Sequence, residues 1–344
     1  MIQTVMKKAG YVTGCVGKWG QIALGPGEWG FDEYLSYYGW GGGYWHKQIK
    51  QYTANGKKIE LLDGQYLPDI QQRFAIDFVS KHKDQPFFLY YPMTHPHEPF
   101  VPTPDSKPDA DMKQLYADNI EYMDKLVGQL VAELDRLHLR EKTLVLFAGD
   151  NGTDPKLAAG STLDGRGLNG AKLTMDEGGS RVPFIANWPG VTPAGKVQND
   201  LIDFSDFFTT FAELGGAKLP PGVKLDGHSF APQLRGQKGT PREWVFVQMN
   251  KRGSTRSVWY VRNQGFKLNE QGQLFDMSDA PFVEKPVTNE AARIKLQAIL
   301  DELNPGPAST KERTTDLNTA PGHGERKSAT RKEKSGKKET DEPE

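Results

Sequence analysis

The chain has 344 residues, 37% hydrophobic and 25% charged, and carries a formal net charge of -1. That length holds one large domain, or a large one with a smaller companion. The near-neutral balance gives no basis for nucleic acid or an anionic membrane as partner. No apolar run approaches the ~20 residues that a membrane span requires.

The N-terminus, Met1-Ile-Gln-Thr-Val-Met-Lys-Lys-Ala-Gly10, lacks the ordered basic, apolar and cleavage regions of a signal peptide. It reads as an amphipathic helix ending at Gly10. Residues 11–16 read as a strand holding the single cysteine, Cys15, so no intrachain disulfide is available and the redox compartment stays open. A small buried hydrophobe is the expected role of Cys15, because only Lys18 stands near enough in sequence to lower its pKa. Gly17-Lys18-Trp19-Gly20 follows. A lysine just past a strand end can place a point charge in a ligand crevice, or simply be solvated. Gly30-Phe-Asp-Glu-Tyr34 reads as structural packing. The aromatic stretch 37–45 and His46 either line a pocket or pack.

A second strand, residues 87–91, leads into Met93-Thr-His-Pro-His-Glu-Pro-Phe100. The proline between the two histidines keeps them off one helix face and makes this an extended loop. His97 or His95 could then donate a proton, hold an anion or bind a metal, or be an ordinary surface histidine. Further on, Leu115, Met123, Leu126, Val127, Leu130, Val131, Leu134 and Leu137 recur on one face of a long helix.

Thr143-Leu-Val-Leu-Phe-Ala-Gly-Asp-Asn-Gly152 is the most informative run. Its apolar half predicts a strand buried on both faces of a parallel sheet. It stops at Asp150 and Asn151, two oxygen donors at the carboxyl end of a strand, where α/β sheets bind ligands and where a hard cation finds its ligands. An Asx turn is the alternative. Lys172, Glu177, Gly178, Gly179 and Arg181 then precede a strand at 183–187, with the glycines implying a tight bend. A Glu177–Arg181 pairing across that bend is the structural alternative. A short helix, 206–214, ends at Gly215-Gly216.

Alternating strands and helices over residues 1–241 predict an α/β domain. Short runs at 245–249, 257–262, 266–268 and 274–276, followed by a helix at 289–303, predict a small antiparallel sheet plus helix over 242–304. Residues 305–344 contain no aromatic side chain and read as a disordered charged tail. Two lysines, a histidine and an Asp-Asn pair, each beside a strand end, describe a site for a tetrahedral phosphate or sulfate ester.

The matching pieces are Ala9-Gly-Tyr-Val-Thr13 with Gly17-Lys-Trp19, Gly30-Phe-Asp-Glu33, Pro86-Phe-Phe-Leu-Tyr-Tyr91 with Pro96-His-Glu-Pro99, and Glu121-Tyr-Met-Asp124 with Val127-Gly128. They continue through Asp150-Asn-Gly152, Glu177-Gly-Gly-Ser-Arg-Val-Pro183, Asp226-Gly-His-Ser-Phe230 and Leu274-Phe-Asp276. In this order they resemble the sulfatase family of the alkaline-phosphatase-like superfamily, across roughly residues 1–303. The resemblance implies an α/β fold with a mostly parallel central sheet flanked by helices. It implies Asp150 and Asn151 as ligands of a catalytic Ca²⁺, with Lys18 and Lys172 on the sulfate and leaving oxygens. His97 would position the sulfate or protonate the leaving group, while Arg181 would brace its loop.

Two departures from the family pattern stand out. Gly20 lies where many sulfatases have a histidine. The Cys/Ser-x-Pro/Ala-x-Arg motif that yields the formylglycine nucleophile is absent, as is the paired Asp-Asp that completes the calcium site. Both belong upstream of the Ala9-Gly10-Tyr11 segment, and Cys15 does not fit the motif. The expectation is therefore a Ca²⁺-dependent sulfuric ester hydrolase that lacks its N-terminal portion and shows little or no turnover as this chain. Its substrate would be an aryl sulfate or a sulfated glycan, and the family habit implies a periplasmic or extracellular setting. The alternatives are a non-catalytic binder of sulfated glycans, and a phosphodiesterase or phosphonate hydrolase of the same superfamily.

Overall fold

The computed structural model describes residues 1–20, 23–37, 44–45, 52–250 and 257–305. The elements run α1 (Ile2–Lys8), β1 (Val12–Lys18), β2 (Glu33–Tyr37), β3 (Tyr52–Ala54), β4 (Lys57–Lys58), α2 (Leu67–Lys81), β5 (Phe87–Tyr90) and α3 (Met112–Arg136). They continue with β6 (Val145–Ala148), α4 (Pro155–Ala158), β7 (Thr162–Leu163), β8 (Arg166–Gly167), α5 (Glu177–Ser180), β9 (Phe184–Asn187), α6 (Asp206–Leu214) and α7 (Ala231–Leu234). The last group is β10 (Val245–Asn250), β11 (Ser257–Arg262), β12 (Phe266–Asn269), β13 (Leu274–Asp276), β14 (Lys285–Pro286) and α8 (Glu290–Leu303).

The central sheet has the order β4-β3-β2-β1-β5. β1 lies parallel to both β2 and β5, whereas β3 and β4 add antiparallel at the far edge, so the sheet is mixed. β1 is the buried spine: Thr13, Cys15 and Val16 are each 0% exposed. Its parallel pairing puts the carboxyl ends of β1 and β5 on one side, and crossover helices supply the cover that such pairing requires. Among these, α2 packs on β1 and on α3. Gln72 Nε2 donates to the Leu126 carbonyl at 2.8 Å, and the Tyr122 hydroxyl donates to Asp69 at 2.7 Å. α3 starts where Asp111 accepts from the Gln114 amide at 2.8 Å, an ordinary N-cap.

Two expectations need correction. The run ending in Asp150 is not buried on both faces of a parallel sheet. β6 pairs antiparallel with β9, from Val145 opposite Asn187 to Ala148 opposite Phe184, and all four of its residues are only half-buried. An apolar β-branched run specifies a strand but not the partner or direction of its pairing. The second is an omission. α2 spans 15 residues, yet the fully buried amide of Gln71 and the nearly buried amide of Gln72 interrupt its apolar stripe and hide it from a hydrophobic pattern.

From Val245 onward the chain forms the antiparallel sheet β10-β11-β12-β13-β14. α8 packs its Leu296 and Leu300 on Val261, Leu268 and Leu274 of that sheet. Tyr44 and Trp45 of the aromatic stretch pack against Tyr66, while 38–43, His46 and 306–344 lie outside the described residues.

A buried ion pair ties α6 to the entry of β10. Arg242 donates from Nε to Asp206 Oδ2 at 2.9 Å and from Nη2 to Asp206 Oδ1 at 2.5 Å, with the two side chains 6% and 2% exposed. Asp206 also accepts from the amides of Asp203 and His228. Replacing Arg242 by Ala strands a buried carboxylate and is expected to cost about 3–5 kcal/mol, read as a lowered denaturation midpoint. Arg242→Lys restores little, because an ammonium cannot match the two-pronged contact. An unchanged midpoint in Arg242→Ala contradicts this assignment.

Candidate functional site

The candidate residues gather near the ends of β1, β5 and β6. Lys18 is the last residue of β1 rather than a loop residue beyond it. It pairs with Tyr37, and its amide donates to the Pro92 carbonyl at 2.9 Å. Gly17 has φ +124°, and a Cβ there would lie 2.1 Å from the Pro92 oxygen. The close approach of β1 to the chain leaving β5 therefore excludes any side chain at position 17.

After β5 the chain carries two histidines with different fates. His95 is 6% exposed and is ringed by Tyr44, Tyr66 and Tyr122, with the Tyr66 hydroxyl 2.8 Å from its Nε2. It is a core residue, which removes it from the candidate ligands. His97 is half-buried. Its Nδ1 donates to the Glu98 carbonyl at 2.7 Å, leaving Nε2 as the ring nitrogen for a ligand. Lys156 pairs with Glu98 at 2.8 Å beside it, a contact that carried no signal in the sequence.

The Asp150-Asn151 turn follows β6 and rests on the loop containing Lys172. The Gly152 amide donates to the Gly179 carbonyl at 3.0 Å, and the Lys172 amide donates to the Thr153 carbonyl at 2.8 Å. A Cβ at position 152 would lie 1.8 Å from the Gly178 oxygen, so only glycine permits the two segments to meet. Glu177, at the start of α5, is 2% exposed. Its close partner is not Arg181, which stands 3.7 Å away and is exposed, but Arg262 of β11 at 2.6 Å. Arg262 was missed because the contact joins regions far apart in the chain. An arginine closing an otherwise apolar strand was the one available signal.

Electrostatics show which candidates converge. Burial lowers the pKa of Lys18, the Asp150 charge opposes that shift, and the Lys172 charge adds to it. Burial likewise holds His97 below its ordinary value, and the Glu98 carbonyl partly offsets this, while the charges of Lys18 and Lys172 push further down. Lys18, Lys172, His97 and Asp150 thus share one field, with Asn151 beside Asp150. Cys15 is fully buried, and burial pushes its thiol up to about 12, which leaves it inert.

Asp150 and Asn151 are suited to a hard cation by donor chemistry. However, among the described residues no group of three or more His, Cys, Asp or Glu side chains converges on a metal position. The three oxygens of these two side chains fall short of the roughly six to eight ligands that Ca²⁺ takes. The described residues do not make a calcium site by themselves, and no chemical step is assigned through one. Two ammonium groups and an imidazole, by contrast, suit a compact anion.

A family model described as Sulfatase matches residues 1–217. Arylsulfatase A of Homo sapiens is 34% identical over 209 residues, covering 59% of this chain and 40% of that protein. N-acetylgalactosamine-6-sulfatase of Canis lupus familiaris is 30% identical over 266 residues, covering 70% and 50%. The chain spans half or less of the length of these curated relatives. Among solved structures, Ps i-CgsB in complex with k-i-k-neocarrahexaose superposes with a TM-score of 0.75 at 27% identity, covering 88% of this chain and 73% of that one.

His95 gives this region a pH signature. Burial lowers its pKa from 6.5 to about 4, so the folded protein holds it neutral where the unfolded chain takes up a proton. The folded state is therefore fully favoured above pH 6.5 in this respect and loses stability as the pH falls toward 4, by a few kcal/mol on the order-of-magnitude scale. Denaturant titrations at several pH values should show that decline, and His95→Leu should flatten it. An equal slope in the variant contradicts the assignment.

Proposed function

The chain belongs to the sulfatase family, and on that premise we propose that the cluster of Lys18, Lys172 and His97 holds the sulfate group of a sulfate ester that the whole protein hydrolyses. The observation that carries this reading is the shared field of three half-buried groups, Lys18 at the end of β1, His97 beyond β5, and Lys172 on the loop that meets the Asp150 turn. Lys18 and Lys172 contribute point charges toward the non-bridging and leaving oxygens, where negative charge accumulates as the ester bond breaks. An arriving sulfate neutralises the lysine charges that depress His97. It thereby raises the affinity of Nε2 for a proton, which the imidazolium can pass to the leaving oxygen.

Asp150 and Asn151 are proposed as two of the oxygen ligands of a Ca²⁺ in the whole protein, with further donors supplied from beyond the described residues. The 344 residues contain no Cys/Ser-x-Pro/Ala-x-Arg sequence, and Cys15 is sealed in the core. We accordingly propose that the chain by itself binds sulfate esters without turning them over. The substrate class is proposed as a sulfated sugar or aryl sulfate. The sugar reading rests on a relative named as an N-acetylgalactosamine-6-sulfatase and on a structural neighbour solved with an oligosaccharide. No helix among the described residues is long and apolar enough to cross a membrane. A periplasmic or extracellular setting is proposed from the family resemblance.

Calorimetric titration of the chain with 4-nitrophenyl sulfate tests the reading. Lys18→Ala and Lys172→Ala are each expected to weaken binding by about tenfold, the effect of one lost charge-assisted contact of roughly 1.4 kcal/mol. Release of 4-nitrophenol should stay at background. Binding indifferent to both lysines contradicts the site, and robust hydrolysis contradicts the proposed lack of turnover.

A further inference from the structure

The loop that carries Lys172 meets the C-terminal sheet through buried polar contacts rather than through apolar packing alone. Arg262 of β11 holds the Glu177 carboxylate at 2.6 Å, with the two side chains 11% and 2% exposed. Lys267 of β12 is 0% exposed; it donates to the Met175 carbonyl at 2.7 Å and pairs with Glu284 at 2.5 Å. The other oxygen of Glu284 accepts from the Glu177 amide at 2.9 Å. The Tyr260 hydroxyl lies 2.6 Å from Ser180 Oγ, and the Met175 side chain packs against Val258 and Tyr260. The C-terminal sheet thus grips the loop at Met175, Glu177 and Ser180.

On its other side the same loop supports the site. Gly178 donates to the Asn169 carbonyl at 2.7 Å, Gly179 accepts from Gly152, and Lys172 donates to Thr153. The base of Lys172 and the Asp150 turn therefore hang from one short helical turn whose other face is bound to β11 and β12.

We propose that Arg262 and Lys267 are positioning residues of the anion site, setting the place of Lys172 and of the Asp150 turn through Glu177 and Met175. This rests on Lys172 being an anion contact. Two features argue for positioning over plain adhesion. Buried ion pairs add little net stability compared with apolar packing, but they impose distance and direction. Moreover, among the described residues a buried Glu177 without Arg262 retains only the exposed Arg181 at 3.7 Å, so the turn must shift to rehydrate its charge.

The test uses the chain with inorganic sulfate as probe and reads calorimetric affinity together with hydrogen exchange. Arg262→Met should weaken sulfate binding about tenfold, matching Lys172→Ala, and should add nothing in the Lys172→Ala background, because both remove the same contact. Exchange should speed at the Gly152 and Lys172 amides while α3 keeps its protection. Arg262→Lys should recover part of the affinity. Should Arg262→Met fail to fold, Tyr260→Phe removes one grip without stranding a charge and should show a smaller change in the same two segments. Wild-type exchange at those amides, or acceleration spread evenly through the protein, overturns the proposal. If wild type and Lys172→Ala bind sulfate alike, the reading of the site fails and the anion-site role of Arg262 falls with it, whereas the exchange pattern separately decides whether Arg262 holds the Lys172 loop and the Asp150 turn in place.

Discussion

A carboxylate that is 2% exposed must be matched by charge where it sits, and Glu177 is matched by an arginine of the C-terminal sheet. That constraint joins α5 to the C-terminal sheet. It fixes a four-residue helix whose glycines leave backbone close enough to clasp the Asp150 turn. The central sheet contributes differently. β1 and β5 are parallel neighbours, so Lys18 and the loop with His97 emerge on one side without further adjustment. One half of the site follows from sheet geometry, and the other half follows from a buried ion pair.

The two histidines show how environment assigns role. They stand two positions apart, yet His95 is enclosed by tyrosines and its protonation is suppressed by burial alone. His97 is also affected by Lys18 and Lys172, charges that an anionic ligand would offset. One contributes to the core, and the other is proposed to respond to what binds. The carboxylate of Asp150 lies in the same field with the opposite sign, so the cluster is not uniformly positive. A ligand with a negative head satisfies the lysines, and a cation satisfies Asp150. This pairing of opposite needs is what the proposed metal-assisted ester site would require, with Lys18, Lys172 and His97 as its proposed anion-binding part.

Much of this was legible in the sequence. The strands ending near Lys18 and leading to His97 announced themselves as apolar runs, and α6 and β11 begin and end at the residues their patterns indicated. Lys18, His97 and Asp150 were each recognisable as polar groups placed after such runs, and Lys172 as one in the glycine-bearing stretch before a strand. What stayed hidden has physical causes. α2 buries glutamines that each hydrogen-bond to a neighbouring segment, and a hydrophobic pattern cannot see a polar group held in the core. The antiparallel pairing of β6 depends on which strand arrives beside it. The Arg262–Glu177 and Lys267–Glu284 pairs join segments that only tertiary folding brings together, and a local pattern suggested the weaker Arg181 contact instead.

The central claim is that Lys18, Lys172 and His97 converge on one sulfate group. A crystal structure of the chain grown with a sulfated monosaccharide tests it most directly. The account predicts a tetrahedral sulfate within hydrogen-bonding distance of both lysine Nζ atoms and of His97 Nε2, with the sugar directed outward from the ends of β1 and β5. A sulfate seated elsewhere, with these three side chains unliganded, would contradict it.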